Sequence, residues 1–199
     1  MTERARADAW QPPAEWRTSG TDPYAVDWVD LRGVPGLADA VALDGRLGMS
    51  FAPGKHDQRG KHVRDLGADV ERLRAVHRVD ALLLLVDDHE MSRMDNTELP
   101  DALGALGVAL LRHPIPDFGV PDDEPAFEAT VDDVIQRVRG GQRVVVACFG
   151  GFGRTGTVTG CVLRAAGVGP EDAVTLVRAT RPGTIERDSQ VAFVKAFGG

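Results

Sequence analysis

Apolar segments along this chain predict a series of strands. The run ALLLLV at 81–86 is continuous and apolar, which predicts a strand buried on both faces of a sheet. RVVVACF at 143–149 predicts a second strand of this kind and VALLR at 108–112 a third. Shorter patterns predict further strands at 28–31 and 45–53.

Apolar residues at helical spacing predict helices between and after these strands. In the segment 65–76, Leu66, Val70 and Leu73 fall on one helical face, and Asp65 is placed to cap the N-terminus. Five more segments predict helices: 98–106, 126–139, about 154–166, 170–180 and 188–197. Strands that alternate with helices predict an α/β fold with a mainly parallel central sheet and helices on both faces.

Composition and charge narrow the class of protein. The chain has 199 residues, of which 43% are hydrophobic and 27% charged, as in a globular protein of one domain. Residues 1–23 are polar and rich in proline and glycine, which predicts a poorly ordered N-terminal arm before a single domain at 24–199. The net charge of -7 argues against a nucleic-acid or anionic-membrane partner, because such partners need a basic face.

Two further features favour a cytoplasmic location. Two cysteines, Cys148 and Cys161, are too few for a disulfide scaffold and fit a reducing compartment. The first residues carry charges and prolines where a signal peptide needs an apolar run, and the run at 81–86 is too short to span a bilayer.

The segment VVVACFGGFGRTGTVTG at 144–160 joins a buried strand to a helix through a glycine-rich turn. Ligands in open α/β sheets bind at the carboxyl ends of strands, which is where Cys148 falls. Five residues separate Cys148 from Arg154. Glycines let the backbone curl with its N–H groups inward, which forms a nest for an anion in front of the positive end of a helix dipole. The residues expected to hold a phosphate are Phe149, Gly150, Gly151, Phe152, Gly153 and Arg154.

This arrangement suits phosphoryl transfer to a thiol. Arg154 can hold two phosphate oxygens with its planar guanidinium, and the positive field of the turn favours the Cys148 thiolate near neutral pH. Thr155 is expected to donate a hydrogen bond to the sulfur, which would help the thiolate leave when a phosphocysteine is hydrolysed. A buried cysteine in an ordinary glycine-rich turn would instead serve packing alone. A Walker A loop does not match, because no Gly-Lys-Ser/Thr follows the glycines.

The pattern C-x-x-G-x-x-R-[ST]-G, here from Cys148 to Gly156, resembles the signature of the protein tyrosine and dual-specificity phosphatases. ACFGGFGRTG is especially similar to the loop of the cyclin-dependent kinase inhibitor 3 (kinase-associated phosphatase) branch. Four other segments resemble that branch, in its order: LGMSFAPGK at 47–55, RDLGADVERL, LLVDDHEM at 84–91 and RHPIPDFGVPD at 112–122. The resemblance covers roughly residues 45–196 and implies a dual-specificity phosphatase-like fold with a cysteinyl-phosphate intermediate.

The same resemblance implies two more functional residues. A general acid is expected on a mobile loop before the cysteine, and the P-I-x-D pattern places it at Asp117, with Asp122 and Asp123 as competitors. The alternative is that all three are turn and cap residues. A glutamine that orients the hydrolytic water is expected at Gln190 in RPGTIERDSQ, 181–190. The alternative for Gln190 is an ordinary surface position on a helix.

Other polar residues give weaker indications. The superfamily usually has a histidine before the nucleophile, and this chain has Ala147, which bears on the rate more than on the reaction. The acidic residues Asp87, Asp88 and Glu90 follow a predicted strand and are expected to cap a helix, although they could rim the pocket. Cys161 is expected to pack in the core. The histidines have no metal-site spacing, so neither a metal nor a cofactor is expected.

These features together predict a protein-tyrosine-phosphatase-type phosphomonoester hydrolase. By resemblance, its substrate is phosphotyrosine in a protein, alone or with phosphoserine and phosphothreonine, while phosphoinositides and small phosphoesters stay open. Two other classes are alternatives. One is a catalytically weak phosphate-binding module, which Ala147 suggests; the other is a rhodanese-like sulfurtransferase, which also curls a loop around a reactive cysteine.

Overall fold

A computed structural model describes residues 12–198 of the chain. In this range the strands are β1 (Asp27–Trp28), β2 (Arg46–Phe51), β3 (His56–Asp57), β4 (His62–Val63), β5 (Ala81–Leu84), β6 (Ala109–Arg112) and β7 (Arg143–Cys148). The α-helices are α1 (Leu66–Ala75), α2 (Asp88–Arg93), α3 (Leu99–Ala105), α4 (Glu124–Arg139), α5 (Gly153–Ala165), α6 (Pro170–Thr180) and α7 (Asp188–Ala196). Two short 3-10 helices lie at Leu31–Gly33 and Ala38–Leu43.

The central sheet has five strands in the order β1-β2-β7-β5-β6. Strands β2, β7, β5 and β6 run parallel to one another, and β1 pairs with β2 in the antiparallel sense. Strands β3 and β4 form a separate two-stranded ribbon. The prediction of a mainly parallel sheet is confirmed, and its carboxyl ends meet at one edge, where β7 delivers Cys148.

Burial explains why β7 takes the centre of the sheet. Residues 144–147, three valines and an alanine, are completely buried, as a strand covered on both faces requires. Helix α4 buries one face of valine, isoleucine and phenylalanine residues, as its periodicity predicts. Helices α4, α5, α6 and α7 pack against one another, and α1 packs against α3. The predicted α/β class with helices flanking the sheet is confirmed.

Local capping sets several element boundaries. Asp65 accepts a hydrogen bond from the Ala68 amide at 2.7 Å, so it caps α1 as predicted. The strand predicted at 28–31 is shorter than expected, because Asp30 caps a 3-10 helix by accepting from the Arg32 amide at 3.2 Å. Helix α2 and the β3–β4 ribbon were not predicted, since elements of two to six residues are too short to show a hydrophobic period.

The N-terminal arm predicted at 1–23 lies only partly within the described residues. Residues 1–11 lie outside the described range. Arg17 pairs with the β4 strand, because its amide donates to the Lys61 carbonyl at 2.7 Å and its carbonyl accepts from the Val63 amide at 3.0 Å. Ser19 donates to Asp69 at 2.7 Å. Backbone pairing and this polar contact therefore join residues 17–19 to β4 and α1. Between residues 12 and 198 no helix is both long and apolar enough to cross a membrane.

Candidate active site

The turn between β7 and α5 closes around the sulfur of Cys148. Cys148 is 3% exposed, and the Gly151 amide donates a hydrogen bond to its Sγ at 3.3 Å. Gly151 has φ +76°, and a Cβ at this position would lie 2.6 Å from the Ser50 carbonyl oxygen. Only glycine therefore allows residues 149–152 to curl this tightly against β2. One amide of the turn thus points inward at the sulfur, which is the orientation that an anion-binding nest requires.

Arg154 lies beneath this turn with its side chain 2% exposed. Its Nη1 and Nη2 donate to the two carboxylate oxygens of Glu90 at 2.6 and 2.9 Å, and Nη1 also donates to the Ile115 carbonyl at 3.0 Å. Nη2 forms an ion pair with Asp117 Oδ1 at 3.0 Å. Burial alone would lower the pKa of Arg154, but the hydrogen bonds to Glu90 and the charges of Cys148, Glu90 and Asp117 raise it above its ordinary value. The guanidinium is thus fixed in one orientation and fully charged.

Glu90 takes part in two sets of contacts, one at the start of α2 and one with Arg154. Its amide donates to Asp87 at 2.7 Å and its carboxylate accepts from the Asp87 amide at 3.4 Å, a capping box that starts α2. The predicted cap role is confirmed for this pair, and the same Glu90 carboxylate holds Arg154. Asp88 instead pairs with Arg112 at 2.8 Å. The signal for Glu90 was its place just after β5, because the carboxyl ends of parallel strands share one edge of a sheet.

Asp117 is the acidic residue on the 113–125 loop that reaches Arg154. Its side chain is 51% exposed, which leaves the carboxyl group accessible to a ligand at the turn. Asp123 caps α4 by accepting from the Ala126 amide at 3.2 Å, the alternative role weighed for it from sequence. Asp122 is exposed and forms no ion pair with Arg154. The geometry supports Asp117 over its two competitors.

Gln190 is completely buried, so the alternative of a surface position on a helix is wrong. Its Nε2 donates to the Gly119 carbonyl at 3.1 Å, and its Oε1 accepts from the amides of Glu186 and Arg187 at 3.1 and 3.3 Å. A Cβ at Gly153 would lie 3.0 Å from the Gln190 amide nitrogen. Gln190 therefore connects the 113–125 loop, which carries Asp117, with the start of α7 and the start of α5.

The hydrogen bond predicted from Thr155 to the sulfur is not formed. Thr155 is completely buried and its Oγ1 makes no hydrogen bond to any part of the chain that the structure describes. The sulfur is instead contacted by the Gly151 amide. A buried hydroxyl without a partner costs free energy, and it leaves Thr155 with a donor available at the start of α5.

Comparison with known proteins agrees with the geometry of the turn that holds Cys148. The family model described as Cyclin-dependent kinase inhibitor 3 matches residues 20–174. The chain belongs to this family. Rat cyclin-dependent kinase inhibitor 3 is 26% identical over 179 residues, covering 88% of this chain and 79% of the rat protein. The human protein of that name is 25% identical over 203 residues, covering 94% of this chain and 90% of its own.

Solved structures agree with the family. Kinase-associated phosphatase with its catalytic cysteine replaced by serine superposes with a TM-score of 0.73 at 20% identity, over 86% of this chain and 92% of that one. The active form of Tk-PTP has a TM-score of 0.60 at 32% identity, over 77% of this chain and 91% of that one. The chain is a cysteine-dependent phosphatase of the tyrosine and dual-specificity class. Neither a rhodanese-like sulfurtransferase nor a catalytically weak phosphate-binding module is favoured.

Two further positions of this family member are closed off from solvent. Ala147, which stands where the superfamily usually has histidine, is completely buried, and its Cα faces Ser50 on β2 and Leu84 on β5. Cys161 is also completely buried, and burial raises the pKa of its thiol above the ordinary value. A thiol held protonated in the core packs as an apolar group, which agrees with the role expected for Cys161.

Lys55 is a residue beside the nucleophile that the sequence did not single out. It follows β2 and is 4% exposed. Its Nζ lies 5.1 Å from the ring centroids of both Phe51 and Phe149. Burial, the largest influence, lowers the pKa of Lys55 to about 8.

Phenylalanine rings with arginines stacked on them surround the turn. Each guanidinium carbon lies within 5 Å of a ring centroid, in the pairs Arg93–Phe149 (4.8 Å), Arg181–Phe152 (4.6 Å) and Arg187–Phe118 (4.6 Å). Phe118 and Phe152 are 50% and 38% exposed. We call these three pairs the aromatic rim. It is apolar and positively charged, although the whole chain carries a charge of -7.

Proposed function

We propose that Cys148 is the nucleophile of a phosphomonoester hydrolase formed by one catalytic domain at 24–199. The observation that carries the proposal is the convergence of three groups at one turn. The Cys148 sulfur has the Gly151 amide at 3.3 Å, and Arg154 contacts Asp117, the proposed acid, at 3.0 Å. A nucleophile, an anion-binding group and a proton donor therefore lie together.

In the first step the Cys148 thiolate attacks phosphorus, a sulfur–phosphorus bond forms and the ester P–O bond breaks. The turn amides and Arg154 bind the non-bridging oxygens as charge develops on them. Asp117 gives its proton to the leaving oxygen. Glu90 supports this step by holding Arg154 from behind with two hydrogen bonds, so the guanidinium needs no reorientation when phosphate arrives.

In the second step water attacks the phosphocysteine and the thiolate leaves. Asp117, now ionised, takes the proton of the water. Gln190 orients the water, a role supported by its buried amide between the Gly119 carbonyl and the start of α5. Thr155 can turn its unpartnered hydroxyl towards the sulfur, because no other hydrogen bond in the described chain holds it. The predicted Thr155 role thus requires a rotation during the reaction.

The substrate that this site suits best is a phosphotyrosine in a protein, with phosphoserine and phosphothreonine as weaker alternatives. The aromatic rim supports this assignment, since exposed Phe118 and Phe152 can flank a phenyl ring. The rim arginines would favour acidic residues around the phosphotyrosine. The net charge of -7 supports such a partner over a nucleic acid, and two free buried cysteines support a reducing, cytoplasmic location.

The test is a substrate screen with the wild type, Cys148→Ser and the matched control Cys161→Ser. We expect the wild type and Cys161→Ser to hydrolyse aryl phosphates and phosphotyrosine peptides. Cys148→Ser should lose turnover and still bind phosphate, because the turn amides and Arg154 remain. Phosphoinositides, phosphorylated metabolites and thiosulfate complete the panel. Turnover by Cys148→Ser near the wild-type rate would overturn the covalent mechanism, and persulfide formation from thiosulfate would favour a sulfurtransferase.

A further inference from the structure

This chain has Ala147 directly before Cys148, where the superfamily usually has a histidine. Alanine can neither donate a hydrogen bond to the turn nor carry positive charge. A thiolate needs positive potential to exist near neutral pH. Arg154 supplies some, but it is shared with Glu90 and Asp117, whose negative charges oppose it. A second source of positive charge near Cys148 would complete the site.

The backbone of Lys55 is fixed next to the nucleophile. The Ala52 amide donates to the Cys148 carbonyl at 2.8 Å, which joins the end of β2 to the end of β7. Two residues later, the Gly54 amide donates to Asp69 Oδ2 at 2.9 Å. The chain leading into Lys55 is therefore held at both points.

The side chain of Lys55 then runs along the two phenylalanines that flank Cys148. The Cα of Phe51 faces the Cα of Cys148 across the β2–β7 ladder, and Phe149 follows Cys148 in the chain. With Nζ at 5.1 Å from both ring centroids, the amine lies over the residue that faces Cys148 and over the residue that follows it. Rings attract the ammonium through their faces, which helps to hold it there.

No carboxylate forms an ion pair with this amine. Within residues 12–198 Lys55 makes no hydrogen bond and no ion pair, and its Nζ lies over the two rings. A buried ammonium without a carboxylate partner costs folding free energy. An unpaired cation that is nine-tenths buried at the edge of an anion-binding turn is therefore available to an anion that forms during function.

We infer that Lys55 supplies positive charge that stabilises the thiolate of Cys148 in place of the missing histidine. The inference rests on the proposed role of Cys148 as nucleophile. Lys55 acts through the sulfur by its field and is an electrostatic positioning residue, not a group that exchanges a proton with the substrate. Burial has the largest effect on the pKa of Lys55 and lowers it, whereas the negative charges of Asp57 and then of Cys148 raise it. The attraction between Lys55 and Cys148 also favours the thiolate.

Other charged groups around Lys55 also affect its pKa. Asp57 on β3 raises its pKa, whereas Arg64 and Arg17 lower it. The further titratable or cationic groups near the amine or its rings are His62 on β4 and Arg93 on α2. With a pKa of about 8, Lys55 is protonated at neutral pH and can exert this field during turnover.

The test is the pH dependence of Cys148 alkylation, measured in a Cys161→Ala background so that one thiol reports. Lys55→Met should move the alkylation midpoint upward by about 1 pH unit, the effect of one charge at short range in a partly buried site. Lys55→Arg keeps the charge and should retain most of the wild-type behaviour. The matched control is Lys61→Met, which removes an exposed lysine from the neighbouring β3–β4 turn and should leave the midpoint unchanged.

A merely structural lysine would give a different set of results. Because Lys55 is an unpaired buried cation, Lys55→Met should unfold at a temperature equal to or above that of the wild type, while its alkylation midpoint rises. Lys55→Gln, a polar and neutral replacement, is measured beside it in case methionine disturbs the turn. Equal midpoints for the wild type and either folded neutral variant would overturn the inference.

Alkylation also separates this inference from the proposed function. If Cys148→Ser keeps its turnover, the nucleophile assignment fails whatever the midpoints show. If Cys148→Ser is inactive and the midpoints are equal, only the role of Lys55 fails. A Lys55→Met variant that binds phosphate more weakly with an unmoved midpoint would make Lys55 a substrate contact, and this too would overturn the inference.

Discussion

Two buried arginines in this protein hold carboxylates in the same way, with opposite consequences. Arg64 donates to Asp69 from Nε and Nη2 at 2.7 and 3.0 Å, and both side chains are completely buried. Arg154 donates to Glu90 from two nitrogens at 2.6 and 2.9 Å, with side-chain exposures of 2% and 9%. Each pair is a bidentate contact of the stronger kind.

The difference lies in what surrounds each pair. Asp69 also accepts hydrogen bonds from the Gly54 amide and the Ser19 hydroxyl, so its oxygens are occupied by the protein itself. Each arginine has a second, half-exposed carboxylate nearby, but at different distances: Asp22 lies 3.8 Å from Arg64 Nη1, whereas Asp117 contacts Arg154 Nη2 at 3.0 Å. A phosphate can displace Asp117 from the guanidinium while Glu90 stays. We call Arg64–Asp69 the closed pair, because it ties segments of the chain together. We call Arg154–Glu90 the open pair, because Arg154 can still bind a ligand.

Replacing Arg154 by lysine should have the largest effect on the open pair. Lysine keeps the charge and loses the planar fork that can hold Glu90 and two phosphate oxygens together. We expect kcat/KM for an aryl phosphate to fall by about 10³–10⁵-fold, the usual worth of a transition-state arginine. Thermal unfolding should change far less than catalysis. A lysine variant with near-normal kinetics would mean that Arg154 acts as a point charge only.

Asp117→Asn tests the displaceable partner. Asparagine cannot give up a proton, so kcat should fall by about 10²–10⁴-fold, the contribution of a positioned acid. The loss should shrink for substrates with acidic leaving groups, which need less protonation. Asp122→Asn is the matched control on the same loop. If Asp122→Asn loses activity and Asp117→Asn does not, the acid has been assigned to the wrong carboxylate.

Arg64→Met tests the closed pair. It leaves the Asp69 carboxylate buried without its cation, so the free energy of unfolding should fall by about 3–5 kcal/mol. The kcat of the folded enzyme should change much less than in Arg154→Lys, because Arg64 does not contact the turn that holds Cys148. Urea unfolding and kcat, measured on the same preparation, check this. A variant that is stable but inactive would place Arg64 in the catalytic machinery and erase the distinction between the pairs.

The sequence predicted the features that depend on neighbouring residues in the chain. Periodic segments predicted the main strands and helices, because the local spacing of valine, leucine and isoleucine indicates burial on one or two faces. The turn was predictable because its glycines, Cys148 and Arg154 are contiguous. Asp117 and Gln190 came from resemblance, and the structure adds the contacts that connect them to Arg154 and to the start of α5.

Long-range charge was the part that the sequence concealed. The position of Glu90 after β5 allowed a place at the rim of the pocket, but its local role in the α2 capping box gave no sign of the contact with Arg154 on a distant helix. Lys55 is an ordinary lysine in the sequence, and its burial arises only when β2 and β7 bring Phe51 and Phe149 together. Thr155 shows the reverse case, since its place directly after Arg154 predicted a contact with sulfur that this structure does not contain.

A smaller, pH-dependent effect should appear beside the closed pair, at His62. His62 lies on β4 with its ring centroid 5.5 Å from that of Phe51. Burial, and then the charges of Lys55, Arg64 and Arg17, lower its pKa from 6.5 to about 4. The unfolded chain therefore binds a proton near pH 6.5 that the folded protein accepts only near pH 4.

The sign follows from this difference in proton binding. Stability conferred by neutral His62 is complete above about pH 6.5 and is lost as the pH falls towards 4, because only the unfolded state gains the proton. From pH 7 to 5 the loss should be about 1–2 kcal/mol, reduced from the full linkage value for solvent screening. His62→Gln, measured by urea unfolding at both pH values, should lose correspondingly less. Exposed His89→Gln, the control, should follow the wild type. Equal losses in the wild type and His62→Gln would show that His62 is protonated as readily in the folded protein as in the unfolded chain, and the cationic surroundings of the closed pair would then carry no pH dependence through this histidine.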